Sequence, residues 1–428
     1  MPNIAYLDPP FSRYFHRLAA RLSRRLDADV LALLSSPAYR VYAASDRSLV
    51  WPGGKVPNPP ALPPDSAHAV WSQTDDEEFR AVFWHAVAWF REQFRANNIG
   101  LVLIFSDARP FSLAAEVAAS ELGVRWIYFE RGAYRFCTAS ISTTGLNGRF
   151  SLRGVCKDST ILGAGPDDDL HRRPLERGLK RHFARFIFAN AWASMRHSEL
   201  RRLQHKHYAL GPYLRLQWMQ WWAEWLAPYQ DRRLRLSADA PTVVVPLQSP
   251  SDSQLQLYSP FDGNQAFLDF VCAEVRRVAP NAQLIVKRHP MDVRRYTMPP
   301  GAVRVIGNLA RFFVRDPLIV CVNSTVGFEA AARGMQVICF GRSFYAEGDF
   351  VTLATPQDFG RHVVERLGHP RDPVAGRSLR DAVLRWYQAP GDAWAFTKDD
   401  LDRTVQIIEE HCAAAAVHAC RRTETTAA

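Results

Sequence analysis

The stretch between residues 101 and 130 constrains the fold most tightly. LVLIFSD (101–107) is a continuous apolar run, Phe111 to Leu122 is a helical segment, and VRWIYFE (124–130) is apolar again. Strand, helix and strand in so short a span make a βαβ unit, so the sheet is parallel at this point. Ligands of such sheets gather at the carboxyl ends of the strands. Asp107 and Glu130 both fall at that edge. A buried core tolerates a carboxylate only with partners, so two of them at a strand edge are candidates for chemistry.

The second half of the chain has the same rhythm. TVVVPLQ (242–248), AQLIVKRHP (282–290), VRVIG (303–307), LIVCVNST (318–325) and QVICFG (336–341) read as strands. A helix from Gly263 to Val278, a short one in ARFFVRD and VGFEAAARG, closed by Gly334, lie between them. Before the first βαβ unit come an extended stretch (2–8), Pro9-Pro10 and an amphipathic helix from Phe11 to Leu26. Short strands at 31–34 and 39–43 and a Pro- and Gly-rich loop (51–66) follow. The next helix, from Asp75 to Asn97, opens on DDEE, the charge that a helix N-terminus favours. A helix-rich section covers 174–226, and further helices are expected over 358–367, 374–388 and in DDLDRTVQIIEEHCAAAA (399–416).

A chain of 428 residues fits two domains. The expected fold class is α/β, two Rossmann-like domains facing a cleft. The expected division is 1–235 for an acceptor-side and catalytic domain and 236–395 for a nucleotide-binding one. Residues 396–412 form a helix returning to the first domain, and 413–428 a disordered tail. The linker is APYQDRRLRLSADA (227–240).

Composition excludes several classes. At 47% hydrophobic and 22% charged residues the chain is neither largely disordered nor a polytopic membrane protein. The start has no signal-like segment, and the longest apolar run, FARFIFANAWASM, is broken by Arg185 and Asn190. Lys plus Arg is 53 against 43 for Asp plus Glu, a formal +10 that steers anionic partners. Without zinc-finger spacing or an RNP-like sequence, no nucleic acid is expected.

The seven Cys form no CxxC set and read as buried thiols of a reducing compartment. LGAGPDDD (162–169) lacks the dinucleotide spacing, and neither a Walker A loop nor a GxSxG elbow occurs. His205 and His207 stand two apart with no carboxylate nearby in sequence, so no metal is expected. Four Trp at 218, 221, 222 and 225 suit a helix packed at a domain seam or under the sheet. A lipid-facing surface is the alternative, because Trp and Arg together fit an interface.

In the second half, KRHP (287–290) sets Lys287 and His289 just after a strand, where positive charge meets a ligand. NSTVGFE (323–329) puts the hydroxyls of Ser324 and Thr325 at a helix start, a cradle for an anion, with Glu329 in reach of a ribose diol. VPLQSPSDSQ (245–254) adds Gln248 and Asp252 at a third strand end. Singly, Ser324 reads as an ordinary helix cap and His289 as a hydrogen-bonded loop residue. Together the three strand ends suit the phosphate, sugar and base of a sugar nucleotide.

These strings, with SDARPFSLAAEVAASELGVRWIYFERGAYRF (106–136) and NSTVGFEAAARGMQVICFGRSFYAEGDF (323–350), resemble the capsular-polysaccharide-synthesis family. They are similar to its retaining β-Kdo transferases, which build the lipid-linked linker of group 2 type capsules, and more to the single-module member than to the two-module one. YLDPPFSRYFHRLAARL resembles the family's first strand and helix, with Pro9 and Pro10 in place of the usual loop glycine.

The resemblance implies glycosyltransferase B architecture and a CMP-activated Kdo donor, with no further cofactor. It puts the CMP site on Lys287, His289, Ser324, Thr325 and Glu329, with Gln248 and Asp252 nearby. It implies Asp107 as nucleophile and Arg109 as the holder of the donor carboxylate or phosphate. Glu130 and Arg135 match the Glu-x-Gly-x-x-Arg element, and Asn147 a further element of the site. A β product from a β donor requires retention, hence a covalent Asp107 adduct and two inversions, with Glu130 as acid or base. The implied acceptor is an anionic lysophospholipid such as lysophosphatidylglycerol. The implied place is the inner face of the cytoplasmic membrane, among capsule assembly proteins. The alternatives are a family member acting on a glycan or lipid-linked glycan, and a non-catalytic sugar-nucleotide binding protein.

Overall fold

The computed structural model describes residues 2–43, 47–64, 67, 69, 75–152, 170–196, 199–203, 210–233, 237, 240–290, 292, 294–305, 309–347 and 350–410. The LGAGPDDD segment, the His205–His207 pair, Cys156, Cys412, Cys420 and the tail from 413 lie outside them. The chain divides into two compact units. The first is Met1–Leu146, Val155–Leu210 and Leu384–Ala428; the second is Asn147–Gly154 and Gly211–Val383. Against the sequence boundary at 235, most of the Trp-bearing helix Leu210–Arg233 counts with the second unit. No helix among the described residues is long and apolar enough to cross a membrane.

The first unit is built on seven strands: β1 (Asn3–Leu7), β2 (Val30–Leu34), β3 (Ser48–Val50), β4 (Ile99–Phe105), β5 (Arg125–Arg131), β6 (Thr138–Ser142) and β13 (Gln388–Pro390). Their order is β13-β6-β5-β4-β1-β2-β3. β3 through β5 run parallel, and β6 and β13 close the edge antiparallel. Counted in chain order the first six strands lie 3-2-1-4-5-6, the doubly wound order, and the order reverses between β1 and β4.

The helices follow from their sequences. Tyr14–Leu26 buries Tyr14, Phe15, Leu18, Ala19 and Leu22, one stripe of a 3.6-residue period, and ends on Asp27 in the left-handed region. Asp76 caps Glu77–Ala96 by accepting the Phe79 N–H at 2.9 Å, with Glu77 and Glu78 in the first turn. Pro110–Leu122 starts on Pro and stops at Gly123, whose φ of 66° suits glycine. The core over this sheet joins Tyr6, Phe15, Leu103 and Phe129 to Leu401, Val405 and Ile408 from the far end of the chain.

Two expectations need correcting. Residues 39–43 are not a strand: Ser36 accepts the Ala38 N–H, Pro37 follows it, and Pro37–Tyr39 and Arg40–Ala43 turn as short helices. The edge pair β6 and β13 had no counterpart in the sequence reading. Gln388 joins them, its side chain bonding Thr138 Oγ1 at 2.6 Å and Ser140 Oγ at 3.0 Å.

The second unit carries β7 (Thr242–Pro246), β8 (Gln283–Lys287), β9 (Ala302–Val305), β10 (Leu318–Cys321), β11 (Val337–Cys339) and β12 (Thr352–Leu353). They form an all-parallel sheet in the order β12-β11-β10-β7-β8-β9. This again is the doubly wound order, reversing between β7 and β10. Buried Val243, Val245, Val286 and Val320 pack with Phe267, Leu268 and Val271 of the helix Gly263–Val278. Such near-continuous apolar strands are what a sheet covered on both faces requires.

Candidate functional site

In a doubly wound sheet the crevice opens where the order reverses, outside the carboxyl ends of the strands. In the first unit these are the ends of β1 and β4. β4 stops at Phe105, and Ser106 takes a φ of 71° while its N–H donates to the Phe129 carbonyl at 2.8 Å. A side-chain-bearing residue in that region is held there by its surroundings. Asp107 follows, 2% exposed, and its Oδ2 accepts the Leu146 N–H at 2.8 Å. Arg109 precedes the helix Pro110–Leu122, with its guanidinium 4.9 Å from the centre of the Phe105 ring and 5.7 Å from that of Phe11.

The end of β1 holds a group that the sequence reading missed. Asp8 is 8% exposed and accepts the Ser35 N–H at 2.7 Å and the Ser35 hydroxyl at 2.5 Å. Burial pushes its carboxyl up to about 6, against the pull of the Ser35 bonds and the charge of Arg109. The available signal was its place directly after the first strand, ahead of Pro9-Pro10, the position Asp107 holds near the end of β4.

The other residues expected in the first domain are distributed as follows. Glu130 is half-buried within β5, one residue past the pairing of Phe105 with Phe129, so it lies level with Ser106. Arg135 is exposed in the turn between β5 and β6, where Gly132 is needed because a Cβ would strike the Thr138 backbone. Asn147 is half-buried, with φ 48°, and groups with the second unit. The next residue, Gly148, donates its N–H to Gln254 Oε1 at 3.0 Å. Arg131 pairs with the buried Asp392 at 3.2 Å and lies 4.0 Å from the Trp394 ring centre, a structural tie to the chain's last third.

The second unit brings its expected residues to three neighbouring strand ends. Lys287 is the last residue of β8, paired with Pro246 of β7, and half-buried; His289 is half-buried just beyond it. Gln248, after β7, donates to Asn323 Oδ1 at 2.7 Å and accepts the Asn323 N–H at 3.2 Å. Asn323 in turn donates to the carbonyls of Gln254 and Arg342 at 2.9 and 3.2 Å. The Gln248 amide therefore ties the loops across the reversal point. Asp252 caps the short helix Ser253–Tyr258 through the Gln254 N–H at 3.0 Å.

Ser324 is buried and caps Thr325–Ala331, its hydroxyl accepting the Val326 N–H at 3.3 Å. Tyr345, fully buried, donates its hydroxyl to the Ser324 carbonyl at 2.5 Å from beneath the helix. Thr325 is half-buried, and Glu329 is exposed one turn along. A surface hollow lined by Ala119, Gly123, Trp126 and Thr143 lies at the opposite, amino-terminal end of β5, away from these strand ends.

Two α/β units of doubly wound order, each with polar side chains at its reversal point, define the class of this protein. Residues 170–298 and 302–359 match the family model described as "Capsule polysaccharide biosynthesis protein". The chain is 24% identical over 279 residues to the Escherichia coli "Capsule polysaccharide export protein KpsS", covering 60% of this chain and 71% of that one. It is 23% identical over 335 residues to the "Capsule polysaccharide modification protein LipB" of Neisseria meningitidis serogroup A, covering 70% and 75%. Among solved structures it matches "Thermosulfurimonas dismutans KpsC, beta Kdo 2,7 transferase" at 15% identity and a TM-score of 0.42, over 95% of this chain and 99% of that one. The chain is thus similar, over part of its length, to proteins of capsule synthesis.

Proposed function

We propose that the chain is a retaining glycosyltransferase of capsule assembly, transferring Kdo from CMP-β-Kdo to an anionic lysophospholipid such as lysophosphatidylglycerol at a membrane surface. The observation that carries this reading is Asp107: a buried carboxylate just past β4, beside the reversal point, held by the Leu146 N–H. A nucleophile needs this kind of fixed placement.

In the first step an Asp107 oxygen bonds to the anomeric carbon of Kdo as the bond to the phosphate oxygen breaks, and CMP leaves with the electron pair. In the second, the acceptor hydroxyl attacks the same carbon, Asp107 leaves as carboxylate, and the hydroxyl proton passes to Glu130. Arg109 holds the donor carboxylate. Lys287, His289, Ser324 and Thr325 balance the charge on the leaving phosphate, and Asp252 and Glu329 contact the nucleoside. Gln248 acts by fixing Asn323 beside Ser324. Arg135 and Asn147 bind substrate close to the reacting centre.

The test is CMP release from CMP-Kdo with and without synthetic lysophosphatidylglycerol, followed by linkage analysis of the product. Asp107→Ala should lower transfer by about a thousandfold or more while CMP still binds. Intact-mass analysis of the wild type should find one Kdo on Asp107. Near-normal transfer by the variant, or an adduct on another residue, overturns the assignment.

A further inference from the structure

Large apolar side chains scattered singly over a surface are ordinary, but several on one helix face are not. The helix Leu179–Arg196 buries Phe186, Ile187, Asn190, Ala193 and Ser194 on one side. On the other it exposes Phe188 (63%), Trp192 (58%) and Met195 (67%), spaced four and three residues apart. In the 3.6-residue period Arg181 and Arg185, both exposed, continue that same face by one and two turns. The helix contains no Asp or Glu.

The helix Leu210–Arg233 repeats the pattern on its own. Leu214, Trp218, Trp221, Trp222, Trp225 and Tyr229 are all exposed and recur at helical spacing. The four indoles meet one another, mostly edge to face, with ring centres 5.3 to 5.8 Å apart along the row. Arg215, exposed, flanks the row. Of the two packed placements expected from the sequence, a domain seam or the underside of the sheet, the exposed row does not fit the second.

We infer that these two helix faces dock on the surface of an anionic lipid bilayer. Trp with Arg is the composition of a helix lying in the headgroup layer, where an indole has both an apolar body and a polar N–H. The charge fits as well: the first helix carries positive charge alone, and the chain's formal net charge is +10. A second copy of the chain would set the Arg181–Arg185 face against a like-charged image. The inference deepens the lipid-acceptor reading above but rests on separate observations, and its test involves no sugar transfer.

The experiment is co-sedimentation of the full-length protein with phosphatidylcholine vesicles, with and without phosphatidylglycerol. The wild type should partition to the vesicles containing phosphatidylglycerol. Phe188→Ser/Trp192→Ser/Met195→Ser and Trp218→Ser/Trp222→Ser/Trp225→Ser should each lose roughly tenfold or more in partitioning. Arg181→Gln/Arg185→Gln should lose most of the preference for the anionic vesicles.

All these positions are exposed, so circular dichroism and CMP binding should match the wild type. A readout without serine variants is quenching of wild-type tryptophan fluorescence by brominated phosphatidylglycerol, which Trp222→Phe/Trp225→Phe should reduce. Absence of vesicle binding by the wild type, or equal binding by all variants, overturns the inference. So does a dimer in sedimentation velocity that the triple variants turn to monomer, which assigns the faces to a second copy. CMP-Kdo turnover on a short-chain, monomeric lysolipid reports separately on the transferase reading.

Discussion

Asp8 makes the folding of the first unit depend on pH. Its carboxyl is raised from 3.8 to about 6 by burial, so the folded state holds the proton more tightly than the unfolded chain does. The resulting stability is fully present below about pH 4 and is lost as pH rises through about 6. Asp8→Asn removes the titration and keeps an oxygen to accept from Ser35. The unfolding free energy of wild type minus variant should therefore fall by on the order of 1–3 kcal/mol between about pH 4 and pH 7.5. Denaturant unfolding at the two pH values measures it, and a difference that does not change with pH contradicts the assignment.

The two strand-end carboxylates of the first unit differ in how legible they were. Asp107 closes a long apolar run, so its place at a strand end is visible in the sequence. Asp8 closes a strand of only five residues and runs into two prolines, so it reads as the start of a loop. Gln248 shows the reverse error: its strand-end position was readable, but its partner Asn323 lies just past the end of β10, 75 residues away in sequence. Tertiary pairing of that kind leaves no local mark.

At the scale of elements, the helix Thr325–Ala331 is only seven residues long and needs support from below. Tyr345 supplies it by bonding the Ser324 carbonyl, and Gly327 lets the helix approach closely: a Cβ there would meet the Tyr345 hydroxyl and the Cys321 sulfur. Tyr345→Phe should cost about 1 kcal/mol in unfolding free energy. Under the proposed function it should also weaken CMP binding several-fold, read by calorimetric titration. Unchanged CMP affinity would mean that Ser324 keeps its position without the tyrosine.

Elements with a strong period were readable, and the helix Gly263–Val278 was placed to the residue. VYA at 41–43 looks like a strand by composition, yet the Ser36-Pro37 start commits the chain to helical turns first. TASIS alternates polar and apolar residues over only five positions, and QAP is too short to show a period. They become strands because Gln388 and the edge of β5 hold them, which is a tertiary cause.

On the scale of the whole molecule, the number of α/β units and the parallel sheets follow from the strand–helix rhythm, whereas the strand order does not, because pairing order is not a local property. The return of the chain is the feature with the largest energetic consequence. Residues from Leu384 onward belong to the first unit: Leu401, Val405 and Ile408 sit in its core, β13 closes its sheet, and Asp392 neutralises Arg131. At about 1.5–3 kcal/mol per buried large side chain, losing those three with Tyr387 removes roughly 6–12 kcal/mol. That equals most of a typical domain's 5–15 kcal/mol. Arg131 would also be left half-buried without its carboxylate. A chain ending at Val383 should therefore leave residues 2–146 open to protease while fragments from 240–383 resist, since the second unit keeps all of its strands. Limited proteolysis with mass mapping of the fragments decides it. Full protection of residues 2–146 in the shortened chain would show that the returning segment only decorates a unit stable without it.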